Sequence, residues 1–124
     1  MVGYFDDKGN PILKITIGGR RLAQETEAFL DTGCSGYLVL PISIAIHLGL
    51  ELIGIQGVEY ADGRVINELV YEVVVDMNGV KKAVPATLTW GGRALAGRSL
   101  FNDYSININF RNKRIEISKL AEGE

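Results

Sequence analysis

Apolar and polar positions alternate along this chain on two periods, and the shorter one dominates. Lys14 and Thr16 separate Leu13, Ile15 and Ile17, the period-two spacing of a half-buried strand over residues 11–17. A preceding strand is predicted over residues 1–5, joined through a turn at Asp6, Asp7, Lys8, Gly9 and Asn10. Gly18 and Gly19 form a tight-hairpin signal. The strand after them, residues 20–30, starts polar and ends on Ala28, Phe29 and Leu30, so it enters the core as it reaches Asp31. Tyr37, Leu38, Val39 and Leu40 make a second apolar run. Pro41 opens a short helix over residues 42–48 and Gly49 closes it, the end preferences of those two residues. In that helix Ile42, Ala45 and Ile46 share a face, and His47 falls off it toward the surface.

Strands are predicted over residues 52–60 and 65–77, with a hairpin at Ala61, Asp62, Gly63 and Arg64. Asn78 and Gly79 turn the chain into a strand at residues 81–88. Val73, Val74, Val75 and Val84 suit buried strands. Residues 89–93 are a loop in which Trp90 is expected to cover the core. Ala94, Leu95 and Ala96 lead to Gly97, and Ser99 is expected to cap a helical turn over residues 100–102. Residues 105–110 place Ile106, Ile108 and Phe110 on one face. A turn at residues 111–114 leads to a last strand, 115–117, and a polar tail, 121–124. Eight or nine short strands with one or two short helices predict a mostly β barrel or sandwich. No tandem repeat and no linker stand out.

Composition narrows the possible functions. At 124 residues the chain has room for one ordinary core, so residues 1–124 are read as a single domain. A net charge of −2 provides no basic footprint for nucleic acid, and Arg20-Arg21 and Lys81-Lys82 are short, separated clusters. No apolar run approaches the ~20 residues of a membrane span, and the N-terminus lacks the basic start and apolar core of a signal peptide. One cysteine cannot form an internal disulfide, so the default compartment is a reducing cytoplasm. With one His and one Cys, a structural zinc site lacks its ligands. There is no nucleophile elbow, phosphate loop or dinucleotide fingerprint. No metal or cofactor is expected, and any catalysis falls to carboxylates or to Cys34.

Attention therefore turns to Asp31, Thr32 and Gly33, set between two apolar runs. One reading is an Asx-type turn joining two strands. The other is a catalytic carboxylate at a strand end, which would justify placing a charge between apolar segments.

Three features in order favour the second reading. They are Asp31-Thr32-Gly33, the hairpin about Asp62-Gly63, and Leu95-Ala96-Gly97-Arg98-Ser99-Leu100-Phe101. This order resembles the retropepsin-like aspartic proteases, the single-domain, retroviral-type relatives of pepsin, over most of the chain. The resemblance implies a closed β-barrel of the acid-protease type that carries half a site per chain. It implies that Asp31 is catalytic, that Thr32, Gly33, Cys34, Leu95, Ala96 and Gly97 support it, and that Thr32 reaches across to a partner's loop. Tyr60, Ala61, Asp62, Gly63, Arg64 and Val65 would form a substrate-covering flap. Gly97 and Arg98 match the segment preceding the family's C-terminal helix. Such an enzyme needs two carboxylates sharing one proton, and the chain has one Asp-Thr-Gly. The second must come from another copy, which makes a homodimer acting on extended peptide or protein substrates.

Several positions keep two readings. Relatives usually carry Ala, Ser or Thr where this chain has Cys34. A thiol is a weak donor, so Cys34 is either a small apolar filler or a residue that shifts the pH optimum upward. Ala96 is small where relatives carry larger aliphatics. Arg98 either pairs with a carboxylate across the dimer or is solvated. Tyr60 either lines the flap or is a cross-strand aromatic. The last strand either joins a dimer sheet or completes the barrel. Two rivals remain for the whole chain. One is a non-catalytic dimeric domain of the same fold that grips peptides or proteins. The other is a structural barrel with a turn-forming Asp-Thr-Gly.

Overall fold

The computed structural model describes residues 2–122, Val2 by its backbone alone. The readings made for Met1 and for the last two residues lie outside them. Ten strands are described: β1 (Val2–Phe5), β2 (Pro11–Gly18), β3 (Ala23–Leu30), β4 (Leu38–Pro41), β5 (Glu51–Glu59), β6 (Val65–Met77), β7 (Val80–Thr89), β8 (Ala94–Ala96), β9 (Tyr104–Asn109) and β10 (Arg114–Lys119). One helix, α1 (Ile42–Leu48), and one 3-10 turn (Arg98–Phe101) complete the set.

Six strands close into a barrel. Pairing runs β2-β3-β8-β4-β7-β6, and Ile17 opposite Val75 returns β6 to β2. Closure removes free edges from those six strands. β1 and β5 are flanking strands, and β9-β10 form a separate two-stranded ribbon. The alternation explains the interior: Leu13, Ile15 and Ile17 of β2 are buried while Lys14 and Thr16 are exposed. Val73, Val75 and Met77 of β6 and Val84 and Ala86 of β7 meet them from the other side. Each such aliphatic side chain gains about 1.5–3 kcal/mol from leaving water. The choice between barrel and sandwich is thus settled by closure, and no helix among the described residues is long and apolar enough to cross a membrane.

Several elements differ from their expected form. The strand predicted from residue 20 begins at Ala23. The preceding turn is broader than a two-residue hairpin, with Gly19 N–H donating to the Leu22 carbonyl at 3.1 Å. The reason lies in α1. The N–H groups of Arg20 and Arg21 donate to the carbonyls of Gly49 (3.1 Å) and Leu48 (2.9 Å), serving acceptors that the helix end leaves without intrahelical donors. Gly49 itself, at φ +70°, ends the helix, and the Leu50 N–H folds back to Ala45 at 3.1 Å, a left-handed cap. The buried face of α1 is Ala45 and Leu48, and Ile46 is 65% exposed. His47 is exposed as expected.

Trp90 does not cover the core: it is 93% exposed. Phe110 lies in the turn after β9, also largely exposed, with its ring edge-on to Phe5 at 5.6 Å. The last strand pairs with β9 and packs against β1, since a side chain at Gly3 would strike Ile115. No C-terminal α-helix is described between the 3-10 turn and the ribbon.

Candidate active site

β3 delivers Asp31 to one end of the barrel. Leu30, just before it, is buried, and the parallel pairing of β3 with β8 sets Leu30 beside Ala96. The pairing continues one step further, with Asp31 N–H donating to the Ala96 carbonyl at 2.9 Å. The backbone then turns back, Cys34 N–H donating to the Asp31 carbonyl at 3.1 Å. Within this turn Gly33 N–H donates to Asp31 Oδ1 at 3.0 Å. The local geometry is therefore the Asx-type turn allowed by the sequence, and it also aims a backbone donor at the carboxylate. Asp31 is half-buried, while Thr32 and Gly33 are exposed.

The segment around Gly97 locks this turn from the other side. Gly97 N–H donates to the Tyr37 carbonyl (2.8 Å), Arg98 N–H to Cys34 (2.8 Å) and Ser99 N–H to Gly36 (3.1 Å). The Ser99 hydroxyl donates to the Ser35 carbonyl at 2.6 Å. Ser99 is thus a latch between loops, not the helix cap expected from its type. The 3-10 turn starts after Gly97 with no side-chain cap. A Cβ at Gly97 would lie 2.2 Å from the Gly36 carbonyl oxygen, so only glycine permits this approach. Ala94 and Ala96 are completely enclosed, and Leu95 pairs with Phe29 and Val39. Small residues let β3, β8 and β4 converge behind the Asp31 turn. Arg98 is exposed and makes no ion pair among the described residues.

A groove of about 800 Å³ begins beside this turn at Cys34. Its floor runs along β4 and β7, from Tyr37 to Val39 and from Pro85 to Thr89. Its roof is the β5-β6 hairpin. Gln56 opposite Glu68 and Val58 opposite Ile66 put those residues on one face. The hairpin tip has a three-residue loop, closed by Tyr60 N–H to the Arg64 carbonyl at 2.8 Å, with Gly63 at φ +87°. The Asp62 carboxylate accepts from Arg64 N–H and Nε at 3.0 and 2.6 Å.

The predicted site residues separate accordingly. Asp31, Gly33, Cys34 and Ala96 are joined by hydrogen bonds, and Gly97 packs closely against the Cys34 and Gly36 carbonyls. Of the predicted flap residues, Tyr60 lines the groove, and Ala61 to Val65 are exposed at and beside the tip. Cys34 is half-buried in the groove wall, so it is not a sealed core filler. Asp31 is not among the residues that line the groove; Cys34, Ser35 and Gly36 of the same loop are. Sequence reasoning missed Gln56, Val58, Glu59 and Glu68 in the roof. Period-two alternation from Gln56 to Tyr60 was the available signal.

Tyr60 makes a cross-strand contact in the hairpin. Its hydroxyl donates across the hairpin to Glu68 Oε1 at 2.6 Å. That hydrogen bond, aided by desolvation and the carboxylate's charge, raises the Tyr60 hydroxyl above its ordinary range, with Arg64 opposing. No group of three or more His, Cys, Asp and Glu side chains among the described residues is placed to hold a metal ion.

No protein-family model and no curated protein matches the chain. A solved structure does: the EIAV protease complexed with the inhibitor HBY-793. The superposition has a TM-score of 0.57 at 15% identity and covers 77% of this chain and 88% of that one. At that identity the likeness shows a retropepsin-like fold.

Proposed function

We propose that the chain is an aspartic endopeptidase that works as a homodimer on extended peptide or protein substrates. The observation that carries this reading is the placement of Asp31. It sits at a strand end, in a turn that aims the Gly33 N–H at its carboxylate, beside a groove roofed by a hairpin. The barrel's likeness to a retroviral protease supports it.

In this reading two copies meet about a two-fold axis at their Asp31 turns. Thr32, exposed in the single chain, bonds to the partner loop, and Arg98 lies at the same border. Asp31 and its symmetry mate share a proton, because two like charges a few ångströms apart resist joint ionisation. One carboxylate takes a proton from water as it attacks the scissile carbonyl. The other protonates the departing amide nitrogen. The β5-β6 hairpin closes over substrate and excludes water. The substrate lies extended and adds strand-like hydrogen bonds. No cofactor enters.

The test is cleavage profiling of a peptide library across pH, with Asp31→Asn as control. Wild type is expected to cleave, and Asp31→Asn to lose about a thousandfold or more in kcat/KM. Equal turnover by the two proteins sinks the proposal.

A further inference from the structure

A second groove of about 870 Å³ lies between α1 and the outer face of the hairpin. The two share four lining residues: Tyr60, Glu68, Leu88 and Thr89. These four therefore form the passage region, the border along which the two grooves adjoin. Trp90 lines the outer groove and is 93% exposed. An aromatic surface left this open gains nothing from core packing, and such residues are enriched where partners bind.

The inner groove carries negative charge, and the Arg64 guanidinium, paired with Asp62, stands 5.9 Å from the centre of the Tyr60 ring. Glu68 lies in the groove wall, one carboxylate oxygen accepting from the Tyr60 hydroxyl at 2.6 Å, which holds the group in place. Glu59 adds a second carboxylate to the inner groove. Among the described residues that line the inner groove there is no lysine, arginine or histidine. Arg21 lines the outer groove, but it packs over Gly49 at the end of α1 and makes no ion pair with Glu68.

From this we infer that the passage is a specificity subsite for a lysine or arginine side chain of the substrate, with Glu68 as the selecting residue. The inference rests on the endopeptidase reading above and adds to it a substrate class. A long side chain leaving the inner groove lays its methylene stem along Leu88. Its cation then reaches the Glu68 carboxylate and the face of Trp90, which attracts positive charge. A shorter apolar side chain leaves the carboxylate without a partner, and an acidic one is repelled.

The experiment compares peptides that differ at one position by Lys, Arg, norleucine or Glu, each position scanned in turn. At one position wild type is expected to favour Lys or Arg over norleucine by about fivefold, as for a partly exposed charge pair. In Glu68→Gln that ratio falls to about one, and in Glu68→Lys the Glu peptide overtakes the Lys peptide. Because each value is a ratio within one protein, a change in total activity does not alter the result. Asp31-dependent cleavage with a ratio that both Glu68 variants leave unmoved overturns this inference and spares the endopeptidase reading. Failure of wild type to cleave any peptide in an Asp31-dependent way overturns both.

Discussion

A single oxygen-to-carbon distance shows how tightly the Asp31 turn is specified. The 2.2 Å that would separate a Gly97 Cβ from the Gly36 oxygen means that Gly97→Ala must push two loops apart. A loss of about 1–3 kcal/mol is expected in urea unfolding. Ser99→Ala removes only the latch to Ser35 and is expected to cost about 1 kcal/mol. Cys34→Ser installs a stronger donor three residues after Asp31. A donor favours the ionised carboxylate, so the acid limb of the pH–rate profile is expected to move to lower pH; an unmoved profile refutes the idea. In the turn between β1 and β2, Asp6 is held below the ordinary carboxylate range. The Asn10 backbone N–H is the main cause, opposed by desolvation and helped by the Asn10 side chain, Lys8 and Arg93. A lowered folded pKa stabilises above the unfolded value of about 3.9 and is lost as pH falls through the folded one. Wild type is therefore expected to lose stability below about pH 4 more steeply than Asp6→Asn, in melts taken from pH 5 to 2. The Gly97 and Asp31 positions were legible in the sequence as motif residues. The Ser35–Ser99 contact was not, because it joins residues 64 apart through one rotamer.

At the scale of elements, alternation located most strands but not their company. β2, β5, β6 and β7 begin and end within a few residues of the positions predicted. The turn before β3 and the inward face of α1 were misread for one shared reason. The end of α1 docks on that turn, and this docking decides which carbonyls need donors and which helical residues face inward. The roof hairpin is stiffened by its own contacts, Tyr60 to Glu68 and Arg64 to Asp62. Gly63→Ala places a side chain at φ +87°, a strained position. It is expected to cost about 1 kcal/mol locally and to raise KM more than it lowers Tm. A drop in Tm with KM unchanged would show that the tip bears on folding and not on substrate.

For the whole molecule, the decisive quantity is the number of chains per site. One chain places one Asp31 turn beside one groove. If the site needs two, specific activity falls on dilution as dimers separate. Mixing equal amounts of wild type and Asp31→Asn leaves about a quarter of dimers with two wild-type chains under random pairing. Activity proportional to concentration at every dilution, or a mixture retaining half of the activity, would exclude the dimer. The Glu68 subsite belongs to this scale as well, since the two grooves adjoin only where the β5-β6 hairpin meets the end of β7.

By itself, the sequence determined what depends on near neighbours. The β alternation, the turn residues, the absence of a zinc ligand set and the Asp-Thr-Gly triplet are all local, and local patterns carry their own physical meaning. Tertiary structure decided what depends on distance. Pairing of β2 with β6 turned a run of strands into a closed barrel. The close approach of Gly97 to Gly36 backed the loop that follows the Asp31 turn with a distant segment. Packing put Trp90 outside and Glu68 in a groove wall. Those outcomes turn on which distant segments share space, and burial and steric exclusion between them are not written in any single stretch of the chain.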